Sequence, residues 1–269
     1  MKHNRWLPAP AAVVAVSVCG GWMTESCSRS PACAAALTYP KLLPVLALTA
    51  ALVLFGSTLL AWLLRALWLM SATALGVRRL SLQDWPAGLR EAAKRTGAQH
   101  VHCIAGEAPL AFCAGILRPS IFVTSGLVAY LRAGELDAVL LHERHHSRRH
   151  DPLRQALRQS AADVCFYLPL LRWWARYQYE NAELRADRAA LQGAGRRPLA
   201  GALWAVAAVS TPHGVATFHG SAELRVAQVL DDPLPRRGPS FSLWLTSAAG
   251  CLSALGLTWC LSQVLVVLR

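Results

Sequence analysis

The densest reactive chemistry in this 269-residue chain lies in six consecutive positions, Leu141-His142-Glu143-Arg144-His145-His146. Four residues advance a helix by roughly 400°, so His142 and His146 project from one face about one turn apart. Two imidazoles so spaced can bind one Zn2+ at about 2.0–2.1 Å each. Glu143 follows the first imidazole and can take a proton from water that the metal has acidified. His145, three residues from His142, is an alternative second ligand. His146 is preferred because its spacing also positions Glu143.

A zinc peptidase needs a third protein ligand. Arg149 stands where the extended metzincin motif needs Gly, so that ligand must lie farther along the chain. Glu180-Asn-Ala-Glu183-Leu-Arg-Ala-Asp187 reads as a helix bearing three acids. Glu183 and Asp187 are one turn apart, and one can bind the metal while the other orients a ligand through a hydrogen bond.

The elements that hold these residues are legible from punctuation and periodicity. Asp84 to Thr96 reads as a short helix capped by Asp84 and closed by Gly97. His100 to Ala105 alternates like a strand, and Ala111–Leu117 and Ile121–Thr124 read as a hairpin around Arg118-Pro119-Ser120. Glu135 to His146 is a helix with Leu136, Val139 and Leu140 on its apolar face. Pro152 marks a break or the first turn of the next helix. Asp163 to Leu171 is apolar but too short to span a bilayer. Glu180 to Gln192 is helical and closed by Gly193; Ala200 to Val209 is a helix of small residues; Asp231 to Pro239 reads as a linker. The fold class is α+β, a few helices around a small sheet.

Hydrophobic residues make up 54% of the chain and charged residues 16%, which excludes a disordered chain and argues against an ordinary soluble domain. Leu42–Leu64 and Phe241–Leu268 lack charge for long enough to cross a bilayer. Leu7–Met23, after Lys2 and Arg5, is either a third membrane helix or a signal peptide. The expected division is 1–41 as N-terminal apolar segment and outer loop, 42–70 as a membrane helix, 71–230 as the catalytic domain, 231–240 as linker, and 241–269 as the last membrane helix. Arg65, Arg78, Arg79, Arg236 and Arg237 flank one side and Arg29, Lys41 and Arg269 the other, which places the central region in the cytoplasm of a multi-pass cell-membrane protein. The apolar stretches hold no internal ionisable residue, which disfavours a transporter or channel. The net charge of +12 comes with no RNA- or DNA-binding motif, so the expected partner is the inner leaflet and not nucleic acid. No Cys-x-x-Cys pair exists, which excludes a thiolate zinc ribbon; Cys27 and Cys33, in the outer loop, could pair.

The run Leu140-Leu141-His142-Glu143-Arg144-His145-His146-Ser147-Arg148-Arg149-His150-Asp151-Pro152-Leu153 resembles the signature of the integral-membrane antirepressor metallopeptidases of the BlaR/MecR type, which are similar to the CAAX prenyl proteases and the HtpX-type membrane proteases. The resemblance covers roughly residues 85–230. It implies a membrane-anchored zincin-like catalytic domain with two or three transmembrane helices. One zinc per chain would be bound by His142, His146 and Glu183, with Glu143 as the base. Asp187 matches the Asp of a Glu-x-x-Ala-Asp motif and Asp151 the Asp five residues after the second His, which implies that both orient ligands. His219 and Arg225 have the six-residue spacing of a His and an Arg in the related proteases, which implies that His219 stabilises an oxyanion. Gly220-Ser221 replaces the proline pair that usually follows this His.

Pro109 to Gly115 resembles the strand before the catalytic helix, so Ala111, Phe112, Cys113 and Gly115 would pair with an extended peptide, although Leu110 replaces the customary Asn. The implied substrate is a protein or peptide, with a small winged-helix repressor as one class. The penicillin-binding domain of sensor members is not found before Arg269, so direct β-lactam sensing is not expected. The expected function is a membrane-bound zinc metalloendopeptidase. The alternative is a catalytically silent signalling or scaffold protein that keeps the fold.

Overall fold

A computed structural model of the chain describes residues 42–209, 219–235 and 237–267. Leu7–Met23, Cys27 and Cys33 lie outside the described residues. In order, the elements are α1 (Leu42–Arg78), β1 (Leu82–Gln83), α2 (Ala87–Thr96), β2 (Val101–Ile104), β3 (Ala111–Ala114), β4 (Ser120–Thr124), α3 (Ser125–Tyr130) and α4 (Ala133–Arg149). There follow α5 (Asp151–Val164), α6 (Pro169–Ala194), α7 (Arg196–Val209), α8 (His219–Leu230) and α9 (Phe241–Val267). The chain divides into two compact units.

The larger unit comprises Ala66–Ser160 and Trp174–Arg237. Its sheet has the order β1-β2-β4-β3. Strands β2 and β4 pair in parallel, from Val101 opposite Ile121 to Ile104 opposite Thr124, and β3 returns antiparallel along the outer side of β4. Ile121 and Val123 of β4 are fully buried, and Leu89, Leu127 and Leu140 close over them from α2, α3 and α4. The period-3.6 stripe of α4 thus faces the sheet, and its His residues are held by a packed core.

Several boundaries differ from expectation for local reasons. Helix α2 begins after Pro86, whose φ of −57° and ψ of 150° hold extended backbone, so Asp84 is not its cap. Gly97 closes it in the left-handed region, at φ 62°. Strand β3 ends at Ala114 because Gly115 turns the chain at φ 114°, where a Cβ would lie 2.8 Å from the Arg118 carbonyl oxygen. Helix α4 begins two residues before Glu135, whose carboxylate accepts from the Arg132 N–H at 2.9 Å. Pro152 occupies the first turn of α5. Helix α6 starts eleven residues before Glu180, at Pro169, and runs on past Gly193 to Ala194. Gly193 is therefore no cap; it makes room for the Leu141 side chain, and Gly195, at φ 92°, ends the helix.

Gly126 has a stricter role. Its N–H donates to the Gly106 carbonyl at 2.8 Å, and a Cβ there would collide with the backbone carbonyl of Glu107. Gly126→Ala should cost about 1–3 kcal/mol through overpacking. Thermal unfolding of the detergent-purified chain measures this, and an unchanged midpoint would refute the close approach.

The second unit comprises α1 as far as Arg65, Ala161–Trp173 and the chain from Gly238 onward. Within α1, Ala51–Arg78 is long and apolar enough to cross a membrane, and its apolar side chains are exposed, as at Val53 and Phe55. The charge-free stretch Leu42–Leu64 is the first part of a longer helix. The helix does not stop at Leu64 but continues through Arg65, whose Nε and Nη2 donate to Asp163 Oδ2 at 3.0 and 2.8 Å. Helix α9 is apolar over Phe241–Leu257, a shorter stretch. The expected apolar segment Asp163–Leu171 comprises the end of α5, a turn and the start of α6, with Phe166 exposed and the Leu170 N–H donating to Ser247 Oγ at 3.0 Å.

Candidate metal centre

Helix α4 presents His142, Glu143 and His146 on its buried side, and α6 brings Glu183 and Asp187 opposite them. The His142 and His146 Nε2 atoms lie 3.1 Å apart. Glu183 Oε2 is 3.5 Å from the first and Oε1 3.5 Å from the second. One ligand atom from each of the three residues lies within 4.8 Å of the others, a group able to hold a metal ion. His145 is outside this group, and its Nε2 is buried without a hydrogen-bond partner.

The other imidazole nitrogens are tied down. His142 Nδ1 is 2.8 Å from Asp187 Oδ1, and His146 Nδ1 is 2.9 Å from Asp151 Oδ2. An ionised carboxylate only accepts, so in the neutral form of each ring Nδ1 carries the proton and Nε2 presents a lone pair. Two lone pairs and a carboxylate then converge on one point, an arrangement that calls for a cation between them. Tetrahedral zinc at about 2.0–2.1 Å from two imidazoles separates their nitrogens by about 3.3–3.4 Å, close to the spacing here. The donor set therefore fits a divalent metal.

The electrostatics agree. Burial would lower the His142 pKa, but hydrogen bonds to Asp187 and Glu183 outweigh it and raise it to about 9. The pocket favours positive charge at this point. Burial would raise Glu183 and Asp187, yet their hydrogen bonds with His142, joined by Arg225, bring each down to about 2. Arg225, from α8, grips Asp187 with Nε–Oδ2 at 2.6 Å and Nη2–Oδ1 at 2.7 Å, and its Nη1 is 3.4 Å from Glu183 Oε2. Glu180 is taken up instead by Arg176, at 3.1 Å, and Arg237.

Strand β3 runs beside this centre. Burial and the Glu143 carboxylate push the Cys113 thiol up to about 12, so it stays protonated. Ala111, Phe112, Cys113 and Ala114 are all half-buried on the outermost strand of the sheet, with Phe112 stacked on Phe122. Gly115 lies in the turn that follows. His219 opens α8, and its side chain lies outside the described residues.

Tyr179 is a neighbour that the motif reading did not include. It stands one helical turn before Glu183, and burial and that carboxylate push the phenol up to about 12. Its i, i+4 spacing to Glu183 was the available signal. No curated protein matches this chain. A model of one family does, described as BlaR1 peptidase M56, over residues 13–223. That match takes in more than half of the 269 residues, including the helix of the two imidazoles and the helix of Glu183, and the chain belongs to this peptidase family.

Proposed function

We propose that the chain is a membrane-bound zinc metalloendopeptidase acting on a protein substrate from the cytoplasmic face. The observation that carries this reading is the convergence of His142 Nε2, His146 Nε2 and the Glu183 carboxylate, with Glu143 on the same buried helix face. Two imidazoles and one carboxylate, with a coordination position left for water, are the donor set of catalytic zinc. When bound, zinc supplies the Lewis acidity that polarises a carbonyl and acidifies water.

The protein's own groups supply the rest. Glu143 accepts a proton from the attacking water and returns it to the leaving amine nitrogen. Asp187 and Asp151 hold the imidazole tautomers that leave both Nε2 atoms free to bind. Arg225 holds the Glu183 carboxylate. His219 is assigned the oxyanion role, and the backbone of Ala111, Phe112, Cys113 and Gly115 the pairing with an extended substrate. A small winged-helix repressor is one substrate class to test.

We assign residues 71–230 to the catalytic domain, between membrane helices at 42–70 and 241–269 with 231–240 as linker, and a third membrane helix or signal peptide within 1–41. A reporter fused after Arg79 should behave as cytoplasmic and one fused after Arg269 as external. The reverse result would overturn the orientation and the substrate class together. The test of function is purification in detergent, measurement of bound metal, and incubation with unfolded proteins and winged-helix repressors. A zinc-loaded chain that binds a partner and releases no fragment would make the scaffold reading the correct one.

A further inference from the structure

Next to Asp151 the helices gather a second set of charges that the peptidase chemistry does not use. Arg149 at the end of α4, Arg154 and Arg158 one turn apart on α5, and Arg185 on α6 interact through space, with His145 among them. Arg158 Nε donates to the Arg154 carbonyl at 2.9 Å, which holds its guanidinium along the helix. The one carboxylate in the group, Asp151, has one oxygen committed to His146. Among the described residues, none of these four arginines has a carboxylate in an ion pair.

Two donor-capable nitrogens of the cluster, Arg185 Nε and His145 Nε2, are buried with no hydrogen-bond partner, and so is the acceptor Asp151 Oδ1. Buried polar groups are normally paired, and like charges brought together repel. Burial lowers the Arg158 pKa; Asp151 works against this, and Arg154 and Arg185 add to it. Asp151 alone sets one negative charge against four arginines, so the set is short of an anion, and of one that also offers a hydrogen to Asp151 Oδ1. Guanidinium forks match phosphate oxygens in pairs. A glycerol phosphate headgroup carries both the anion and neighbouring hydroxyl donors.

We propose that Arg149, Arg154, Arg158 and Arg185 form a binding site for a phosphate group, supplied by the headgroup of an anionic phospholipid. Chain order favours a lipid over free phosphate. On α5, Arg158 stands five residues before Asp163, the partner of Arg65 on apolar α1, and the exposed Phe166 follows three residues later. An anionic inner leaflet attracts arginine at such a position. The occupant would tie α4 and α6, the helices that carry the metal ligands, to the membrane surface. The inference does not depend on the chain being a peptidase.

The test uses the full chain in nonionic detergent, with thermal unfolding followed as phosphatidylglycerol is titrated in as mixed micelles. Inorganic phosphate and uncharged monoolein are titrated in parallel, and bound metal is measured in every sample. The expected result is a saturable rise of about 5 °C with phosphatidylglycerol and none with monoolein. The Arg158→Gln/Arg185→Gln variant should lose at least tenfold in apparent affinity at unchanged metal content, while Arg90→Gln on α2 should not. If that double variant does not fold, Arg154→Gln, at an exposed position, and Arg158→Lys, which keeps the charge but not the fork, should each weaken the titration. An equal rise with inorganic phosphate would overturn the lipid assignment. No rise with any probe, or the same rise in wild type and all variants, would overturn the site.

Discussion

Glu143→Gln should keep its metal and its fold and lose peptide cleavage by about 10²–10⁴, the usual cost of removing a general base. The substitution preserves size and burial at a position that is 9% exposed on the inner face of α4. It leaves His142, His146 and Glu183 untouched, so the metal-binding group persists. A glutamine amide cannot take up the proton from water. The variant should therefore hold uncleaved substrate, detectable as a stable complex in a pull-down that wild type turns over. Metal content, unfolding midpoint and cleavage rate are the three measurements. Loss of metal along with activity would make Glu143 a ligand and not a base. Unchanged cleavage would remove it from the chemistry.

The second large effect is expected at Asp187. This carboxylate is fully buried, takes two hydrogen bonds from Arg225 and holds His142 Nδ1. Asp187→Ala leaves the Arg225 guanidinium buried beside a single, more distant carboxylate, Glu183. Breaking a buried pair from one side costs about 3–5 kcal/mol. The same change frees the His142 ring, and loss of such a supporting group typically weakens metal binding about 10–100-fold. Removing both partners, in Asp187→Ala/Arg225→Leu, should be less damaging to stability than the sum of the single changes. Denaturant unfolding and competition with a chelator read the two effects separately. Stability within about 1 kcal/mol of wild type for Asp187→Ala would contradict the buried, doubly bonded arrangement, since a loss that small falls below the buried-pair range.

The parts of the site legible in the sequence are those governed by local helix geometry. The one-turn spacing of His142 and His146 needs no tertiary information, and neither does that of Glu183 and Asp187. Their apposition across two helices does, and it came into the reading through the family resemblance. Tyr179 went unread because a phenol is not a ligand type, and only its turn-spacing to Glu183 marks it. The membrane helix was expected over 42–70, six residues past the end of the uncharged run, while α1 runs on to Arg78. A hydropathy run ends at a charge. The helix itself does not, since Arg65 finds its counter-charge in Asp163, 98 residues away. Gly193 was read by the general habit of glycine at helix ends, but the close approach of Leu141 is what that position requires. Asp84 was taken as a cap by type, while the backbone at Pro86 decides where α2 begins.

The reach of Arg225 back to Asp187 has a consequence for synthesis. The two residues are 38 positions apart, and Arg225 is made last. At about 5–20 residues per second, Asp187 precedes its guanidinium by about 2–8 s. During that interval α4 and α6 can exist as helices, but the acids between them have no arginine to offset their charge. A nascent chain therefore carries its metal ligands before it carries the group that fixes their geometry. The guanidinium can close on Asp187 and Glu183 only once α8 has been translated and has docked, so the buried charges are balanced late in synthesis.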